Sequence, residues 1–247
     1  MGTVLVAGRK RVPNPAAGTT AVCGMETKER VIVHTVSPTS YAPPVTAPCH
    51  RGRVGSPSKA EVRTAILASR RAVTMEVHDA EADALCGHLP GVIEGAQTVC
   101  AYVPIRFEPG SIAFLDTLLQ LGVRVLLPVA RDDADGMPQP MRWGPYLPGG
   151  LVAARMGLQE PREPWLPAAA VADAAVVFVP ALAVDRAGVR LGRGAGFYDR
   201  TLRSAGPSAR LVAVVRDDEL VDEIPAEPHD VPMTHALTPG RGLVELG

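Results

Sequence analysis

The segment RLGRGAGFYDR, Arg190 to Arg200, sets glycines at 192, 194 and 196 and closes on Phe197, Tyr198 and Asp199. Glycine at every second position follows neither the strand nor the helix period. It does let the backbone take positive φ, so that successive N–H groups converge on an anion. Arg190 and Arg193, woven between the glycines, add forked guanidinium donors that suit phosphate oxygens. A helix expected from about Phe197 would add free N–H groups and a partial positive charge at its start. Asp199, in that first turn, could hold a divalent cation that neutralises the same phosphates. The string fails both standard glycine patterns: the third glycine comes one position early for a dinucleotide fingerprint, and no lysine completes a P-loop. A plain glycine turn into a helix is the competing reading of the spacing alone.

Few other residues stand out. Lysine occurs only at 10, 28 and 59, which makes Lys59 conspicuous, although a solvated lysine in a first helical turn would look the same. Cys23, Cys49, Cys86 and Cys100 form no CxxC pair, so neither a zinc site nor a disulfide framework is expected. Formal net charge is -1 over 247 residues, which argues against nucleic acid or an anionic membrane surface as partner. The charge is uneven: residues 1–57 carry seven Lys/Arg against Glu26 and Glu29, near +5, leaving near -6 for the rest. No apolar run reaches a membrane span, and MGTVLVAGRKR places its charges after its apolar run rather than before it. It therefore fails as a secretory signal, and a cytoplasmic location is expected by default.

The elements that must position these residues begin at Ser58. Residues 1–57 hold Pro13, Pro15, Pro38, Pro43, Pro44, Pro48 and Pro57 with little apolar periodicity, and a disordered basic extension is expected there. Ser58 with Glu61 forms a capping-box pattern ahead of Val62, Ile66 and Leu67, which predicts a helix. EVHDAEADALCGHL predicts a second, ending at Pro90-Gly91. SIAFLDTLLQLG predicts a third, capped by Ser111 and stopped by Gly122. Strands are expected at 98–105, 123–130, 174–184 and 210–215, with a short last one in THALTP. Residues 131–170, rich in Pro, Gly and Asp, read as a long irregular excursion. Strands that are apolar throughout and alternate with helices predict an α/β domain over 58–247. It should have three layers, with a largely parallel central sheet flanked by helices.

The string ALAVDRAGVRLGRGAGFYDR, following a strand that ends in Pro180, resembles the signature of the 5-formyltetrahydrofolate cyclo-ligase family. Gly188, Arg190, Leu191, Gly192, Gly194, Gly196, Tyr198 and Asp199 match that signature in order. SKAEVR resembles the family's N-terminal helix and puts Lys59 and Arg63 at its ATP-contacting positions. AYVPIRFEPGS puts Glu108 at the position of the folate-contacting acid, with Val103 a weaker second match that could equally be a core residue. RMGLQEP matches a further segment at Gly157, Glu160 and Pro161, and EPHDVPMTHALTP offers Asp230. Phe197 replaces the usual tyrosine, Ala181 a glycine and Val184 an aromatic. The resemblance covers about 180 residues.

What it implies is a reaction in which ATP phosphorylates the formyl oxygen of 5-formyltetrahydrofolate, N10 attacks, and 5,10-methenyltetrahydrofolate, ADP and phosphate result. The implied ATP site is Lys59, Arg63 and the run Arg190, Leu191, Gly192, Arg193, Gly194, Ala195, Gly196, Phe197 and Tyr198. Lys59, Arg193 and Tyr198 are implied as catalytic; Val103, Glu108 and Arg193 through Phe197 as folate-binding; Asp199 and Asp230 as magnesium contacts. Trp143 and Tyr146 could cover the pterin or the glutamate tail, and His229 receives no role. Partners are then small molecules, and a monomer is expected. A non-catalytic binding relative is the alternative, and a sugar-phosphate isomerase or CoA-transferase type of enzyme is a weaker one.

Overall fold

The computed structural model describes residues 58–247, so the extension expected over 1–57 lies outside the described residues. Helix α1 (Lys59–Ala72) begins with the capping box: Ser58 accepts from the Glu61 amide, and the Glu61 carboxylate accepts from the Ser58 amide. Helix α2 (Met75–Val92) follows after a Thr74 cap. It runs through Pro90-Gly91 instead of stopping there. In the last turn the missing proline N–H costs only one bond, Ile93 N–H still reaches Leu89 O, and Leu89 and Val92 are buried.

Strand β1 (Thr98–Cys100) is shorter than the run 98–105. Helix α3 (Ile112–Gln120) starts after Ser111 as expected, but the serine side chain makes no capping bond. Strands β2 (Arg124–Val129), β3 (Arg142–Pro145), β4 (Leu151–Ala153) and β5 (Gln159–Pro161) follow. The excursion over 131–170 is thus partly ordered, with β3 pairing antiparallel to β2 and β4 to β5. The expected strand 174–184 is two: β6 (Val176–Pro180) and β7 (Ala183–Asp185). The chain leaves the main sheet at Ala181-Leu182, where the Leu182 amide turns to Leu191 O in β8 (Arg190–Leu191).

After the glycine loop come α4 (Phe197–Leu202), β9 (Arg210–Val214), β10 (Leu220–Val221), β11 (His235–Thr238) and β12 (Gly242–Glu245). Strand β12 was not expected; it turns back at Gly242, φ 67°, and pairs antiparallel with β11. The main sheet has the order β12-β11-β9-β6-β1-β2-β3 and is parallel except at its two edges. A small second sheet, β10-β7-β8, carries the glycine loop.

Strand β6 explains the apolar runs. Val176 and Phe178 face α2 and α3, where Phe178 meets Phe114 edge-on with centroids 5.1 Å apart. Val177 and Val179 face the opposite layer with Trp143, Val171 and Leu202. Both faces are covered, so no residue of the strand can be polar. A third cluster, Leu182, Ala183, Leu191 and Ile224, receives Val62, Ile66 and Leu67 and docks α1 on the small sheet.

Candidate active site

The β7–β8 turn is built by Asp185, 2% exposed, whose Oδ1 accepts from the amides of Ala187 and Val189 while Oδ2 accepts from Ile224. Gly188, φ 85°, lets this turn press on Met233, whose amide bonds Gly188 O at 2.8 Å. That contact fixes the segment carrying Asp230 against the one carrying the glycine loop. Gly194 (φ 99°) and Gly196 (φ 74°) take the left-handed conformation the loop requires, with Gly196 as the cap of α4.

Four contacts draw the predicted residues together. Arg63 Nε donates to Gly192 O at 2.9 Å, tying α1 to the loop. Lys59 Nζ lies 3.0 Å from Asp230 Oδ2 and 3.2 Å from Glu227 Oε1. Arg190 donates to Asp199 Oδ1 at 2.9 Å and lies over the Tyr198 ring at 5.6 Å. Arg193 donates through Nε at 3.1 Å to Glu108 Oε1, with Nη2 at 3.0 Å. The other Glu108 oxygen accepts from the Ile105 amide, so the carboxylate is oriented from both sides.

Electrostatics follow from these partners. Burial pushes the Tyr198 phenol well up and Glu108 adds to it, against an opposing pull from Arg190, so Tyr198 stays a neutral donor. Burial raises the Asp230 carboxyl, but the Glu227 amide and Lys59 outweigh it and leave the group below its ordinary value. Ligand atoms of Glu227, His229 and Asp230 lie within 4.8 Å of one another, a grouping that can hold a cation. Asp199 is not in that grouping; it is held by Arg190.

Other predicted residues sit elsewhere. Val103 packs against the α2/α3 core, and Leu191 is buried in the cluster under α1 and can offer a ligand only its backbone. Trp143 and Tyr146 are 1% and 3% exposed, the tyrosine bonded to Asp116, so they build the core and do not cover a ligand. Ala195 is exposed on the loop and Phe197 half-buried at the start of α4.

A family model matches residues 55–239 as the 5-formyltetrahydrofolate cyclo-ligase family. The chain belongs to that family. A 5-formyltetrahydrofolate cyclo-ligase of Mycolicibacterium smegmatis is 65% identical over 189 residues, 76% of this chain and 97% of the relative. One of Escherichia coli is 30% identical over 147 residues, 59% and 80% of the two chains. A solved 5,10-methenyltetrahydrofolate synthetase of Aquifex aeolicus superposes with a TM-score of 0.64 at 23% identity, covering 76% and 92%. The enzyme class read from the sequence, a cyclo-ligase, stands with this membership, and the α/β fold with its mostly parallel sheet is that of the solved relative. No helix among the described residues is long and apolar enough to cross a membrane.

The cyclo-ligase signature left several residues unmarked. His78 Nε2 reaches Glu108 O at 3.1 Å and, facing a carbonyl, must be the donor. Buried Arg70 holds Glu219 through Nε at 2.6 Å and Nη2 at 2.7 Å, and also reaches Ala181 O. Partners 149 residues apart leave no local pattern that would have announced them.

Proposed function

We propose that this chain carries out the cyclo-ligase reaction with ATP and magnesium at the glycine loop and 5-formyltetrahydrofolate against Glu108. The observation that carries this reading is the Arg193–Glu108 contact, because it joins the phosphate-type loop to the acid assigned to folate. In the reaction the formyl oxygen attacks the γ-phosphorus and the bond to ADP breaks. N10 then attacks the activated carbon and loses its proton, and phosphate leaves with the former formyl oxygen. Such a transfer needs mainly positioning and charge neutralisation. Lys59, Arg63 and Arg193 supply positive charge, and the glycine backbone supplies N–H donors. Tyr198, kept neutral, donates a hydrogen bond, and Glu108 accepts from donor groups of the pterin.

The residues present fit a magnesium ion, which takes oxygen donors. On this reading Asp199 and Asp230 would hold it; Glu227 and His229 share one grouping of ligand atoms with Asp230, whereas Asp199 lies outside that grouping and would have to leave Arg190. When bound, the ion neutralises phosphate charge. His229 approaches Glu227 at 3.2 Å and shapes that carboxylate cluster. A monomeric, cytoplasmic enzyme acting on small molecules alone belongs to the same proposal.

The test is direct. Purified protein given 5-formyltetrahydrofolate, ATP and magnesium develops the near-ultraviolet absorbance of the conjugated methenyl bridge. Folate binding with no absorbance change would instead favour the non-catalytic reading.

A further inference from the structure

Helix α2 turns one stripe toward the core, with Ala82, Leu85, Leu89 and Val92 all buried. His78 stands on the same stripe, four residues before Ala82 and seven before Leu85, and its side chain is 12% exposed. An imidazole placed there costs free energy unless its ring nitrogens find partners. Only one does. Nε2 donates to Glu108 O at 3.1 Å, whereas Nδ1 is buried with no hydrogen-bond partner among the described residues; Asp79 Oδ1 stands off at 3.6 Å. A leucine would continue the stripe at lower cost, so core packing does not account for the histidine, and the bond to Glu108 does. The loop that receives this bond needs holding. Arg106 takes φ 53°, the only positive value outside glycine among the described residues, and Gly110 takes φ 92°. Backbone of that kind persists only where the surroundings over-determine it. Within the loop the Glu108 amide bonds Ile105 O at 3.0 Å, and Tyr102 donates its hydroxyl to Pro109 O at 2.9 Å. Among the described residues, His78 is the one side chain from another element that bonds the loop's backbone.

We propose that His78 is a positioning residue for folate binding: by tying the Glu108 carbonyl to α2, it aims the Glu108 carboxylate. The inference rests on the proposed role of Glu108 as the folate acid. Peptide units are planar, so a residue's Cα–Cβ direction is set by the two planes that flank its Cα. The plane before Glu108 is fixed by its amide on Ile105 O. The plane after it runs into Pro109, which has no N–H to donate. Glu108 O is therefore the only hydrogen-bonding group of that second plane, and His78 is its only partner among the described residues. With both planes held, the side chain reaches back so that Oε2 accepts from the Ile105 amide at 3.1 Å and Oε1 is left toward Arg193. Without His78, the second plane is free to rotate and the carboxylate loses its aim. The glycine loop is held separately, by Arg63 on Gly192 O at 2.9 Å, so the loss falls on folate and not on ATP.

The experiment titrates wild type and variants with 5-formyltetrahydrofolate and, separately, with ATP by calorimetry, with melting temperatures measured alongside. The variants are His78→Leu, His78→Gln, Glu108→Ala and the double variant His78→Leu, Glu108→Ala. Leucine fills the stripe and removes the donor, whereas glutamine offers an amide N–H of similar reach. Loss of one hydrogen bond predicts a Kd for the folate about five- to tenfold higher in His78→Leu. Glutamine brings it back to within about threefold of wild type, and Kd for ATP moves by less than about twofold in both. In the double variant the leucine adds less than about twofold to the loss from Glu108→Ala, because no carboxylate is left to aim. A lower melting temperature with unchanged folate affinity overturns the proposal, and so does equal weakening of both ligands. Full additivity in the double variant overturns it too. Unchanged folate affinity in Glu108→Ala would instead sink the parent reading of Glu108. Where Glu108→Ala binds too weakly to titrate, the contrast between leucine and glutamine decides. Where His78→Leu does not fold, His78→Asn, one methylene too short for the carbonyl, takes its place against glutamine.

Discussion

Replacing Arg70 with methionine tests how helix α1 is held. Arg70 and Glu219 side chains are 3% and 5% exposed, joined by two short hydrogen bonds, and Arg70 also caps the carbonyl of Ala181. Burial opposes the charge on Arg70, and Glu219 more than restores it, so its pKa lies above the ordinary value. Methionine keeps the stem but strands Glu219, which retains only the Arg216 amide. Removing one partner of a buried pair costs about 3–5 kcal/mol. For a domain of this size that corresponds to a fall of about 6–20 °C in melting temperature. The pair sits at the C-terminal end of α1, whose other end carries Lys59 and Arg63. KM for ATP should therefore rise in the surviving folded enzyme. The double variant Arg70→Met, Glu219→Gln removes both charges and recovers at least half of the loss. Circular dichroism melting and ATP titration read both effects. A single variant melting within about 2 °C of wild type would refute the reasoning, since the pair would then contribute nothing net.

Asp199→Asn lowers turnover, and excess magnesium partly restores it; full activity at low magnesium would remove Asp199 from the metal site. Asp230 has a folded-state carboxyl below its ordinary value of 3.8, so its contribution is whole above that pH and disappears as the pH falls through the lower value. The melting temperature of Asp230→Asn should thus converge on wild type between about pH 5 and pH 2, and parallel curves would contradict the pairing with Lys59. Arg193→Lys should cut kcat/KM by about 10- to 100-fold with little change in melting temperature, whereas Arg190→Lys should lower the melting temperature by several degrees. The opposite ranking would exchange the roles given to the two arginines.

The glycine loop was legible because its chemistry is written in adjacent residues: spacing, charge and a following helix all lie between 190 and 200. The same holds for α1, where Ser58, Glu61 and the apolar stripe are local signals. The break between β6 and β7 was not legible, since an unbroken apolar run does not mark where a chain leaves one sheet for another. Trp143 misled for a related reason. In a stretch rich in Pro and Gly it looked like a ligand cover, yet β3 pairs with β2 and carries it into the core. Asp185 sits in a local turn, but its second oxygen takes the Ile224 amide from 39 residues away. Contacts of that range, including Arg70–Glu219 and His78–Glu108, exist only once the sheet has formed.

The three ion pairs of the site differ in a way that bears on how it works. On the proposed reading each pairs a basic side chain with an acid for metal or folate. Side-chain exposures are 16% and 15% for Lys59 and Asp230, and 6% and 17% for Arg190 and Asp199; for Arg193 and Glu108 they are 51% and 10%. A buried guanidinium packed between Gly192, Asp199 and the Tyr198 ring has nowhere to go, so Arg190 acts by placing Tyr198 and Asp199. Half-exposed Arg193 gains little from its acid in water and can leave it when a stronger anion arrives. Glu108 does not lose its orientation when that happens, because the Ile105 amide still holds its other oxygen. On the proposed reading, release of Arg193 toward the phosphoryl group would free the Glu108 oxygen assigned to the pterin. On that reading, one exchange would couple arrival of the nucleotide to readiness for the folate.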